Sequence, residues 1–283
     1  MVCGQMDEAR YKAVMTDQLN IAIAGCAGRM GRQLVGAALD NGHRISGGSE
    51  TSQSPSLGQD IGTVAGLEPL GLMFLVDVSA AARGASIWID FTVPGATLDA
   101  VSRLPKLGVP AIIIGTTGFS DDQERKIAAA ATDLVIVKAG NFSLGVNLLE
   151  SLVKQTAERL ASDWDIEVLE THHRHKVDAP SGTALMLGQA AASGRGAALS
   201  ELKTAPYNGP DAKRVPGNIG FSVRRSGGVI GDHEVTFGSE MELVSLRHTA
   251  LDRDVFAHGA IKAAEWAVTQ SPGLYDMSDV IGL

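Results

Sequence analysis

The chain has 283 residues, 45% hydrophobic and 20% charged, with a formal net charge of −8. That length suits one large or two modest domains, and an acidic balance without blocks of like charge argues against nucleic acid as a partner. Two cysteines, Cys3 and Cys26, are too few for a disulfide framework. The first twenty residues lack a signal-peptide core, and no apolar run approaches a membrane span, so the expectation is a soluble, cytoplasmic protein that does not engage a membrane. In so acidic a chain, an anion site must stand out as a local cluster of donors and positive charge.

Residues 1–18 read as a polar or helical leader. A short apolar strand over 20–24 leads into Gly25-Cys26-Ala27-Gly28-Arg29-Met30-Gly31, with a helix over about 29–40 and a second strand over 44–50. A Ser/Gln/Pro/Gly-rich loop fills 51–66. Further buried-type strands are expected at 85–90, 109–114 and 134–137, with helices from about 95 and over 121–131. The strands end in Asp90-Phe91-Thr92, Gly115-Thr116-Thr117-Gly118 and Lys138-Ala139-Gly140-Asn141-Phe142. Strand–helix alternation with continuous Val/Ile runs predicts a Rossmann-like, doubly wound parallel α/β sheet, whose ligands lie at the carboxyl ends of the strands.

After about residue 144 the pattern changes. A helix is expected over 145–162, a strand over 164–171, a helix over 182–192 and a polar, mobile loop over 196–216. Strands at 219–225, 234–237 and 241–248 then suit a second α+β domain with an open mixed sheet. An Ala-rich helix over 252–270 is placed to dock back on the first domain. The division expected is 1–143 with 253–283 as a dinucleotide-binding domain, and 144–252 as a domain for substrate binding and oligomerisation.

The glycine loop permits a tight turn and close approach of backbone N–H groups to a pyrophosphate at a helix start. Its spacing is G-x-x-G-x-x-G, and a plain tight turn is the rival reading. Glu50, nineteen residues beyond Gly31, ends the second strand where a carboxylate binds ribose hydroxyls. The turns at 115–118 and 139–142 read either as contacts to the nicotinamide end of a cofactor, bordering the same crevice, or as ordinary β–α turns.

The sharpest signal is Glu170-Thr-His172-His173-Arg-His175-Lys176-Val-Asp178-Ala-Pro-Ser181-Gly182-Thr183. Histidine transfers protons near neutral pH and lysine supplies a compact charge. Ser181-Gly182-Thr183 looks like a helix start able to bind a carboxylate. Together they suit a small dianion that must be protonated. The rivals are a solvated basic loop and a metal site built from His172, His173 and His175. Lys176 and the lack of completing ligands count against the metal, so none is expected. Ser181 and Lys176 lack the context of an activated nucleophile. His233 and His248 read as packed histidines, while Arg224, Arg225 and Arg253 either pair with acids or line the site.

These strings, with Asn141-Phe-Ser-Leu-Gly-Val-Asn147, Arg225, Gly231-Asp-His233 and Phe256-Ala257, resemble the dihydrodipicolinate reductase (4-hydroxy-tetrahydrodipicolinate reductase) family over nearly the whole chain after the leader. The resemblance implies NAD(P)H-dependent reduction of a small cyclic dicarboxylate in the diaminopimelate route to lysine, by a homotetramer. It implies that His172 is the proton donor, assisted by Lys176, and that His173, Lys176, Gly182 and Thr183 bind the substrate carboxylates. Cofactor contacts would come from Gly25, Cys26, Ala27, Gly28, Arg29, Met30, Glu50, Gly115, Thr116, Thr117, Ala139, Gly140, Asn141 and Phe142. Some members carry an Arg after the ribose-binding acid; here Thr51 follows Glu50, with no Lys or Arg before Gly58. Either NADH or NADPH fits, and NADH preference is expected. The competing readings are another two-domain NAD(P)-dependent dehydrogenase and a non-catalytic NAD-sensing protein.

Overall fold

The computed structural model describes residues 18–160 and 162–283, so the leader at 1–18 lies almost wholly outside the described residues. The first half comprises β1 (Asn20–Ala24), α1 (Arg29–Asp40), β2 (Arg44–Ser49), α2 (Ile61–Val64), α3 (Val78–Ala81), β3 (Ile87–Asp90), α4 (Pro94–Arg103), β4 (Ala111–Ile114), α5 (Asp121–Ala130) and β5 (Val135–Lys138). Then follow α6 (Leu144–Arg159), β6 (Asp165–His172), α7 (Gly182–Gly194), α8 (Leu199–Leu202), β7 (Ile219–Arg225), β8 (Gly231–Gly238), β9 (Leu243–Ala250), α9 (Asp254–Ala267), β10 (Gly273–Tyr275) and α10 (Met277–Ile281).

The chain divides into two compact units. One takes the chain to Ile113 with Asp121–Ile136 and Ala264–Gly273; the other takes Ile114–Ser120, Val137–Ala263 and Leu274–Leu283.

A six-stranded Rossmann-like sheet runs in the order β10-β5-β4-β3-β1-β2, and β1 pairs in parallel with both β2 and β3. Consecutive residues of a strand point to opposite faces. Ile21, Ala22 and Ile23, and likewise Ile87, Trp88 and Ile89, are nevertheless fully buried. The sheet is therefore covered on both faces, as the unbroken apolar runs require. Helix α1 buries Leu34, Val35, Ala37 and Ala38, and its first turn has neither a side-chain cap nor an acidic residue.

Two short helices lie where periodicity is silent. Within the expected 51–66 loop, Asp60 caps α2 by accepting from the N–H of Thr63, and the same carboxylate accepts from Leu70 and Leu72. Helix α8 likewise interrupts the stretch expected to be loop at 196–216. Such elements are specified by one side chain and its local backbone, too short for an apolar stripe to form.

The second sheet has the order β7-β6-β8-β9, with β6 parallel to β7 and antiparallel to β8. One face is buried: Ile166, Val168, Ile219, Val235 and Phe237 join Leu149, Val153, Leu187 and Ala191 from α6 and α7 in a single core. The register sets His172 beside Arg225 and Glu170 beside His233 on that same face.

Candidate active site

The glycine loop is built by exclusion of side chains. Gly25 has φ +59°, and a Cβ on Gly31 would lie 2.4 Å from the Gly25 carbonyl oxygen and 2.6 Å from Cys26 Cα. Only glycine lets α1 start so close to the end of β1. The N–H groups opening α1 have no acceptor within their own helix, and its first turn carries neither a capping side chain nor an acidic residue. An anion fits there electrostatically. Glu50 stands beside the loop, accepting from Ala27 N–H at 2.9 Å and Thr51 N–H at 3.3 Å. Cys26 is buried, and burial followed by the nearby Glu50 charge pushes its thiol up to about 12. It is an uncharged wall of the turn, without nucleophilic character. Arg29 is exposed and Met30 half-buried at the first turn of α1.

The turns after β4 and β5 are tied together. Ala139 N–H donates to the Ile114 carbonyl at 3.1 Å, and the Lys138 ammonium sits 5.4 Å from the Phe119 ring centre. Gly115 is half-buried, Thr116 buried and Thr117 exposed, while Gly140 is exposed and Phe142 buried. Asn141 accepts from Ser143 N–H at 2.8 Å, and its amide donates to Thr183 Oγ1 at 3.1 Å. This bond connects a residue predicted to meet the cofactor with one predicted to meet the substrate.

His172 ends β6 with its ring buried. Its Nδ1 lies 2.5 Å from Glu170 Oε2. The Glu170 side chain is only 1% exposed, and it accepts from Arg225 Nη1 (2.8 Å), Arg225 Nη2 (3.0 Å) and Ser181 N–H (3.0 Å). Burial opposes the charge on Glu170, but Arg225, His172 and the Ser181 N–H outweigh it and hold the carboxyl below its usual range. Since Nδ1 faces an ionised acceptor, Nε2 is the ring atom left for a ligand.

Ser181 caps α7 by accepting from Ala184 N–H at 3.1 Å, and its hydroxyl bonds His233 Nε2 at 3.0 Å. Gly182 and Thr183 open that helix with N–H groups lacking helical acceptors. Lys176 is paired with Asp178 at 2.9 Å and is mostly shielded, so a substrate carboxylate would share or replace that partner. His173 is half-buried, its pKa lowered by burial and then by Arg253, His175, His172 and Lys176. The three ring-bearing residues 172, 173 and 175 do not converge as ligands: His172 spends Nδ1 on Glu170, and His173 and His175 stand with ring centres 6.3 Å apart.

Two roles escaped the sequence reading. His233, expected to be a packed histidine, is buried but stands edge-on to His172 at 5.0 Å, its pKa lowered to about 4 by burial and then by His172. Arg225, read as pairing with an acid or lining the site, is half-buried and takes the buried Glu170 behind the catalytic candidate as its partner. The available signal was strand alternation, since Glu170 and His172 are two residues apart and share a face. Arg224 instead donates to Thr171 Oγ1.

A Rossmann-like sheet with a side-chain-free helix start, together with a second unit carrying a carboxylate-backed histidine, is the build of a nicotinamide-dependent oxidoreductase. Comparison with known proteins gives the family. The model "Dihydrodipicolinate reductase, N-terminus" matches residues 19–142, and "Dihydrodipicolinate reductase, C-terminus" matches 145–281. A 4-hydroxy-tetrahydrodipicolinate reductase from Parvibaculum lavamentivorans is 49% identical, covering 95% of this chain and 100% of that protein. One from a Ruegeria species is 48% identical at the same coverage. A solved dipicolinate-bound dihydrodipicolinate reductase from Paenisporosarcina sp. TG-14 has the same fold, with a TM-score of 0.74 at 23% identity over 94% of this chain and 100% of that one. The chain belongs to the dihydrodipicolinate reductase family.

Proposed function

We propose that this chain reduces 4-hydroxy-tetrahydrodipicolinate to tetrahydrodipicolinate at the expense of NAD(P)H, in the diaminopimelate route to lysine. The observation that carries the reading is the placement of His172, with Nδ1 on a buried carboxylate and Nε2 unspent, in the same loop system as Lys176 and the start of α7. The glycine loop and Glu50, with Gly115 to Thr117 and Ala139 to Phe142, would hold the nucleotide. Residues 144–252 would supply substrate binding and oligomerisation, and 1–143 with 253–283 the dinucleotide domain.

Once the 4-hydroxyl has left the ring as water, a bound reduced nicotinamide would supply a hydride to the electron-poor double bond that results. The protein's own task is to hold two carboxylates and deliver a proton. Lys176 offers positive charge, His173 a ring N–H donor, and Gly182 and Thr183 offer backbone N–H groups and a hydroxyl. His172 Nε2 then protonates the electron-rich carbon left in the ring, while Nδ1 keeps its own proton against Glu170. NADH is the proposed preferred cofactor. Glu50 disfavours a 2′-phosphate, and its bonded partners are the N–H groups of Ala27 and Thr51. The reading places the enzyme in the cytoplasm as a homotetramer.

The test is oxidation of NADH and NADPH in parallel with freshly generated substrate. Wild type should turn over, faster with NADH. His172→Gln should lose about 10²- to 10⁴-fold in kcat, the usual worth of a positioned acid, and Lys176→Ala should chiefly raise KM. Both should retain nucleotide binding. Absence of wild-type turnover, or full activity in His172→Gln, would refute the reading.

A further inference from the structure

The reaction as written needs a proton donor and anion-binding groups. It gives no reason to bury a charged carboxylate beneath them and bind it to a half-buried guanidinium. Every oxygen of Glu170 is nevertheless committed. Oε1 accepts from Ser181 N–H and Arg225 Nη2, while Oε2 accepts from Arg225 Nη1 and faces His172 Nδ1. Arg225 also donates from Nη2 to the Asp178 carbonyl at 2.6 Å. One guanidinium therefore fixes the carboxylate behind the histidine and the turn that carries Lys176 and Asp178 into the start of α7.

Space on the far side of the ring is arranged to match. A Cβ on Gly231 would lie 3.3 Å from His172 Nε2, a distance at which a side chain would crowd that atom. Among the described residues, Nδ1 has a hydrogen-bond partner at 2.5 Å, and no hydrogen bond is made by Nε2.

We propose that Glu170, clamped by Arg225, is the positioning residue for proton transfer. It holds the neutral His172 ring as the Nδ1–H tautomer and aims Nε2 at the reacting carbon, in fixed relation to the helix start that binds a carboxylate. The inference rests on the proposed reduction for the identity of the acid. The proton passes from Nε2 to substrate carbon, the N–H bond breaking as the C–H bond forms. Nδ1 keeps its proton on Glu170, and Nε2 takes the next proton from water. Glu170 and Arg225 touch no reacting atom and remain charged throughout.

The decisive readout is the tautomer. In ¹⁵N-histidine-labelled protein, with the His172 signals assigned by their loss in His172→Gln, the neutral ring should carry its proton on Nδ1. In Glu170→Gln the side-chain oxygen remains claimed by Arg225 and Ser181, which turns the amide N–H₂ toward Nδ1. The ring should then shift toward the Nε2–H form, and kcat should fall by at least about tenfold with nucleotide affinity unchanged. Glu170→Asp, which keeps an ionised acceptor, should restore the Nδ1–H form and part of kcat. A wild-type ring with its neutral proton on Nε2 would overturn the proposal, even if Glu170→Gln does not fold. So would a Glu170→Gln enzyme with wild-type tautomer and kcat. Lack of turnover by the wild type would instead refute the proposed reduction, leaving the tautomer result to judge the positioning role.

Discussion

At the residue scale, the site is governed by how burial treats charge. Glu170 stays ionised because three partners meet it, whereas His233, similarly buried, is hydrogen-bonded to the neutral Ser181 hydroxyl and is pushed down to about 4. A histidine neutral in the fold but free to protonate when unfolded lets the unfolded state bind more protons. Its contribution to stability is therefore present above the ordinary histidine range and is lost as pH falls from about 6.5 toward about 4, by up to about 3 kcal/mol. His173 and His248 are shifted in the same direction. Urea unfolding at about pH 7 and about pH 5 should show a smaller loss of stability on acidification in His233→Gln than in wild type. Equal losses would place the acid sensitivity elsewhere. The identity of these residues was visible in the chain, but His233 read as packing because fifty-two positions separate it from Ser181. Only the pairing of β6 with β8 brings it to the site.

Elements carry a different kind of information. Helix α1 shows that a glycine can matter for what it excludes. Gly31 meets backbone atoms of the Gly25–Cys26 turn, whereas a Cβ on Gly36 of the same helix would meet nothing within 4 Å. Gly31→Ala must push α1 away from β1, with an overpacking cost of about 1–3 kcal/mol. Nucleotide affinity should fall by at least about tenfold as the N–H groups lose their aim. Gly36→Ala should be neutral or stabilising by up to about 1 kcal/mol, with unchanged affinity. Titration of both variants by nicotinamide fluorescence checks the pair; equal affinities would remove the steric argument. Most long elements were legible because their apolar residues repeat at the strand or helix period. Helices α2 and α8, four residues each, were not, since no stripe forms over one turn.

For the whole molecule, the face of the second sheet opposite α6 and α7 is the informative surface. Leu169, Glu234, Thr236, Ser245 and Arg247 stand on it, half-buried or exposed, and Leu243 is 71% exposed at its edge. An antiparallel or mixed sheet can leave such a face in water, but a partly apolar one also suits self-association. The proposed tetramer predicts a sedimentation-equilibrium mass four times that of the 29.5 kDa chain, and Leu169→Arg should shift it to smaller species. A monomeric wild type would exclude this assembly. Among the described residues, no helix is long and apolar enough to cross a membrane.

By itself, the sequence determined the order and type of the main elements, the side-chain-free loop at the first helix, and the family, through the string from Glu170 to Thr183. These are local properties, written in period, turn chemistry and contiguous motif. Tertiary structure alone decided which charges meet. Arg225 lies fifty-five residues from Glu170, and Asn141 reaches Thr183 across forty-two. Strand register and loop closure set those distances, and at hydrogen-bond range the distance determines whether a buried charge is held or expelled.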